Sequence, residues 1–211
     1  MTSDFPWLTV IIFLPLLGSF LALCFAHRPT LCRWISLWVA LADLFLVAFL
    51  LTLKLQAQSG PSGKWLLMED HQWIEALGIR YSLGMDGISL LMVLLTVLLL
   101  PLCVLCSWSY ISRRVKEFHF SLMLMTSACV GVFVALDFVL FYIFWEAMLV
   151  PMFLLIAVWG GPERRYASLK FFLYTLAGST LLLVAMVAFY LAGGTFSIPE
   201  LSARNYPFGF Q

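Results

Sequence analysis

The sequence predicts an all-α fold, a polytopic membrane bundle of about six transmembrane helices. Hydrophobic residues fill 63% of the 211 positions and charged residues only 11%, whereas a soluble domain carries about a quarter charged residues. Apolar runs of about 20 residues, the length a helix needs to cross the hydrocarbon core, recur along the chain. Lipid offers no partner to an open strand edge, so the spanning elements must be helices.

The spans are expected at 5–26, 34–53, 88–109, 118–136, 138–159 and 169–191. The first run follows "MTSD" without a basic flank or a small-residue cleavage site, so it is expected to stay as a helix rather than leave as a signal peptide. Asp86 and Asp137 precede the third and fifth spans where N-caps belong. Spans four and five meet at Asp137 in a tight hairpin. Trp34, Trp38, Trp108 and Trp159 mark span ends at the interface. Residues 54–87 form the single long loop, with a turn-rich "SGPSGKW" and then "WIEALGIRYSLGMDG", expected as a short amphipathic element on the outer surface. Residues 193–211 begin a further loop on that side.

Basic residues alternate in sidedness. Arg28 and Arg33, then Arg113, Arg114 and Lys116, then Arg164 and Arg165 fall on one side. On the other, Lys54, Lys64 and Arg80 are balanced by Glu69, Asp70 and Glu75. The positive-inside rule makes the first side cytoplasmic and points the N-terminus outward, to the periplasm of a bacterial inner membrane. The five cysteines lie in or beside apolar runs, where cysteine behaves as a small hydrophobe. Cys103 and Cys106 make a CxxC, but without the further ligands a metal site needs.

Buried polar residues carry the functional argument. Glu146 stands inside "FYIFWEAMLVPMF", nine residues from Asp137 and thirteen from Trp159, so about 13 Å and about 20 Å from the two ends. Acids near the bilayer midplane are costly and mark proton or ion paths; the alternative is a neutral acid used for packing. Pro151 frees the carbonyl of Ala147 beside it. Asp43 in span two is a weaker candidate. Lys170 lies just inside span six, where it either snorkels or works inward. It is some eight residues of depth from Glu146, about 12 Å, and so is not its direct partner. Gly178, Ser179 and Thr180 read as small-residue helix packing.

"MDGISLLMVLLTVLLLPLCVLCSW", "FFLYTLAG" after Lys170 and above all "FYIFWEAMLVPMFLLIAVWGG" resemble the antiporter-like membrane subunits of bacterial NADH-quinone oxidoreductase, respiratory complex I, in their chain M form. The likeness runs from the first span to the sixth. It implies the N-terminal part of a fourteen-helix subunit built from inverted repeats, whose sites lie near the midplane. It implies proton translocation coupled to NADH-to-quinone electron transfer, with Glu146 facing a lysine of a seventh helix beyond Gln211. Lys170 matches a lysine of the family's KFF segment, and Asp43 matches no family motif. FMN, iron–sulfur clusters and quinone are expected in partner subunits and no cofactor or metal in this chain, which has no clustered cysteine ligands and no nucleotide fingerprint. The expected partners are the lipid bilayer and other membrane-arm subunits, neighbours like chains L and N, with no nucleic acid. Two other readings stand beside this one: a subunit of a multisubunit cation/proton antiporter, and a membrane scaffold without transport.

Overall fold

A computed structural model describes residues 5–24, 28–57 and 65–204 of the chain. Most of "SGPSGKW", Lys64 included, lies outside the described residues, as does the end of the 193–211 segment. Six long helices carry the fold: α1 (Trp7–Cys24), α2 (Pro29–Ala57), α3 (Gly87–Tyr110), α4 (Val115–Val134), α5 (Phe138–Trp159) and α6 (Arg164–Gly193). All six are long and apolar enough to cross a membrane. A short α7 (Ile198–Ser202) follows.

The helices outrun the hydropathy windows where polar residues flank them. The sixth begins at Arg164 rather than 169, and the second extends from Pro29 to Ala57. Hydropathy finds only the apolar middle, while intrahelical hydrogen bonds continue into the interface, where water also satisfies the ends. Asp86 caps α3 by accepting from Ser89 N at 2.7 Å. Asp137 caps α5 by accepting from Val139 N at 2.9 Å and Leu140 N at 3.3 Å.

α4 is the central helix, packed against α1, α5, α3 and α2, while α6 lies chiefly on α5 at the periphery. Successive helices alternate in direction, which places every basic loop at one end. Close approach between α4 and α5 depends on Gly131, where an added Cβ would fall on the Phe144 ring. Across the bundle, Ser127 of α4 donates to the Ile12 carbonyl of α1.

The other end holds a departure from the expected amphipathic element. β1 (Leu67–Ile74) and β2 (Ile79–Met85) form an antiparallel hairpin, turned by a 3-10 segment (Glu75–Leu77) and Gly78 at φ 65°. Long-range pairing decides this: Leu136 N donates to Ser82 O at 2.9 Å, and Ile198 N to Leu136 O at 2.9 Å. The short link between α4 and α5 thereby joins the hairpin on one side and residues 196–198 on the other. Glu69 reaches from β1 to cap α1, accepting from Leu8 N at 2.6 Å and Thr9 N at 3.2 Å. Thr9 Oγ1 adds a third donor at 2.6 Å. Burial pushes the nearby Tyr81 phenol up; its hydrogen bond with Thr9 opposes that, and the Glu69 charge adds to it.

Candidate functional site: a mid-membrane carboxyl on α5

The capped start of α5 fixes which way its side chains point. Phe144 packs on Gly131, and Met148 meets the Cys129 thiol at 3.0 Å, so this stripe faces α4. Glu146 lies two residues from each, about 200° around the helix, and therefore points away from α4. Tyr142 sits one turn earlier on the same face as Glu146. Its phenol interacts with the Glu146 carboxyl and with the Ser179 hydroxyl of α6. Glu146 is half-buried, and its Oε1 is shielded from solvent without a hydrogen-bond partner. Pro151 is buried within α5 five residues on, which leaves the Ala147 carbonyl without its helical donor.

Two ring contacts set the register of α5 and α6: Phe153 with Phe172 at 5.6 Å and Phe138 with Phe189 at 6.0 Å. Glu146 is then level with Ser179 and Thr180. Lys170 is level with Ile156, ten residues or about 15 Å away along the axis. The Lys170 ammonium instead lies 5.7 Å from the Tyr166 ring centroid, on an exposed stretch of α6. The structure does not bring Lys170 to Glu146.

Asp43 occupies a different environment. It lies on the buried stripe of α2 with Ser36, Ala40 and Val47, it is fully enclosed, and neither carboxyl oxygen has a partner. Val39 closes on Gly18 of α1, and Trp34 meets Trp108 of α3 at 5.3 Å. That register puts Asp43 within a turn of two buried helix prolines, Pro15 and Pro101. Each proline leaves one helix carbonyl, that of Ile11 or Val97, without its helical donor. α4 stands between this region and Glu146.

Sequence reading missed three polar groups. Tyr142 is found by stepping four residues back from Glu146 on one helix face. Ser179 was hidden in a cluster that reads as packing. His119 of α4 is fully buried near Arg33, with neither ring nitrogen partnered; a lone histidine in an apolar run carries no sequence signal. Among the described residues no three His, Cys, Asp or Glu side chains gather where a metal could be held.

Residues 135–210, which contain this α5–α6 site, match the family model described as "NADH:quinone oxidoreductase/Mrp antiporter, TM". NADH-quinone oxidoreductase subunit M of Rhodobacter capsulatus is 48% identical over 171 residues, covering 81% of this chain and 33% of the relative. NAD(P)H-quinone oxidoreductase chain 4 2 of Microcystis aeruginosa is 40% identical over 215 residues, covering 100% of this chain and 38% of the relative. Among solved structures, a chain of respiratory complex I from Thermus thermophilus superimposes with a TM-score of 0.79 at 26% identity. That match covers 95% of this chain and 40% of the other. The chain thus spans between a third and two-fifths of the length of the proteins it resembles. The resemblance drawn from the FWE segment stands for residues 135–210, and the chain is a multi-pass membrane protein.

Proposed function

We propose that this chain forms part of a proton-translocating membrane-arm subunit of an NADH-quinone oxidoreductase, with Glu146 carrying the proton-linked charge. The observation that carries the reading is the half-buried Glu146 carboxyl at mid-helix, with one oxygen shielded and unpartnered, on the face of α5 turned away from α4. A carboxyl so placed near the midplane suits a proton path better than a packing role. Tyr142 and Ser179 orient it. Lys170, some turns toward the basic end, supports proton delivery electrostatically, and Pro151 adds a free backbone acceptor. Asp43 is assigned no step in this path.

The donor or cation facing Glu146 would come from another part of the same subunit, and the electron-transferring cofactors (FMN, iron–sulfur clusters and quinone) would belong to partner subunits. The neighbours would be other membrane-arm subunits of chain L and N type. Membrane vesicles containing and lacking this chain test the function. NADH addition should acidify the lumen of inside-out vesicles only when the chain is present, with or without sodium. An exchange driven by a sodium gradient and indifferent to NADH would instead favour the cation/proton antiporter that shares the family.

The orientation proposed is a bacterial inner membrane with the hairpin end in the periplasm, because the basic loops gather at the opposite end. A cysteine introduced at Ser112 should react with impermeant maleimide only in opened cells. Labelling in intact cells would invert the topology.

A further inference from the structure

We infer that the basic end of the α3–α4–α5 face is a binding site for an anionic phospholipid. The inference needs only that the six helices span a bilayer. A cavity of about 470 Å³ opens between the α3–α4 loop and the α5–α6 loop, lined by Arg113, Arg114, Arg164 and Arg165. A second space of about 530 Å³ continues from it down the bundle, lined by apolar groups that include Phe118, Leu122, Leu155 and Ile156. Tyr110, Ile111 and Trp159 border both, so the two form one track from a cationic mouth to an apolar groove.

The charge at the mouth is unbalanced. Residues 113–117 and 163–165 carry five basic side chains against the acids Glu117 and Glu163. Of these five side chains, all among the described residues, only Arg114 has an acidic partner, an exposed Nε contact with Glu117 at 3.4 Å. Such a pair contributes little and competes poorly with a phosphate. The helices α4 and α6 both begin here, and neither N-cap residue, Arg114 or Glu163, supplies a side-chain cap. Their first-turn N–H groups add positive potential to that of the arginines.

The level is that of lipid headgroups. Trp34, Trp108 and Trp159 cluster at this end, and tryptophan belts mark the membrane–water boundary. The Trp159 indole donates to the Arg113 carbonyl at 3.0 Å and packs on Phe118 at 5.3 Å, which holds the two loops and the groove wall in one unit. A free phosphate would satisfy the arginines but leave the groove uncovered. A phospholipid fills both, its phosphate among the guanidinium groups and one acyl chain along α3 and α5. Phosphatidylglycerol, or its two-phosphate dimer cardiolipin, has this chemistry.

The test reconstitutes the native protein containing this chain in nanodiscs of phosphatidylcholine doped with phosphatidylglycerol, and counts retained lipid by native mass spectrometry. Phosphatidylglycerol should be retained in preference to phosphatidylcholine. Arg113→Gln with Arg164→Gln should weaken retention about fivefold per arginine. Cys106→Trp, which fills the exposed groove and leaves every charge in place, should lose the lipid as well. Arg28→Gln, at the same end but outside the cavity, should change nothing. Equal loss in Arg28→Gln, unimpaired retention in Cys106→Trp, or displacement by inorganic phosphate alone would overturn the proposal. So would a photo-cross-link from position 106 that captures a neighbouring subunit and no lipid.

Discussion

Glu146 and Asp43 are both acids in apolar helices, yet their surroundings differ. Glu146 is half-buried on a face turned from the bundle centre, with Tyr142 and Ser179 beside it. Asp43 is sealed inside α1–α4, where nothing from outside the chain reaches it. A sequence shows both only as acids at similar depth; the difference lies in which neighbour each helix face meets. Asp43→Leu keeps the branched shape and removes the buried polar atoms. Such replacements are often neutral or stabilising, so stability should hold within about 1 kcal/mol and NADH-driven pumping should persist. Loss of pumping in the assembled Asp43→Leu protein would give Asp43 a step in translocation.

The six helices were legible element by element, because length and apolarity alone determine what spans a bilayer. Caps were legible too: Asp86 and Asp137 announce helices before long apolar runs and do cap them. The hairpin was not. "WIEALGIRYSLGMDG" has no clear two-residue period, and its strands are set by partners far away, the Leu136 amide and the α1 N-terminus. Glu69 reads in the sequence as a loop acid that offsets lysines. In the fold it is nearly fully buried and accepts three bonds from α1. Glu69→Ala would orphan those donors, and loss of such a cap costs about 0.5–2 kcal/mol. A lowered thermal midpoint, partly restored in Glu69→Gln, is the expected result; an unchanged midpoint in Glu69→Ala would remove the hairpin from the stability of α1.

At the scale of the whole molecule, the bundle ties down one end and leaves one flank open. The hairpin, the α4–α5 link and residues 196–198 clasp the helices at the hairpin end. α6 stays the most exposed of the six, and Glu146 lies where α5 meets it. Glu146 stood out in the sequence as a candidate because an acid in an apolar run violates the rule its neighbours obey. The axial offset of Lys170 was legible too, as about 12 Å against about 15 Å in the fold; the Ser179 contact was not, since it depends on the register between α5 and α6. The most direct measurement is proton-gradient formation, per NADH oxidised, in vesicles carrying the assembled complex with Glu146→Gln or Glu146→Asp. Glutamine keeps the shape and the Tyr142 contact but holds no charge, so pumping should collapse while assembly persists; aspartate, one methylene shorter, should keep part of it. Near-normal pumping by Glu146→Gln would reduce Glu146 to a packing residue and contradict the account.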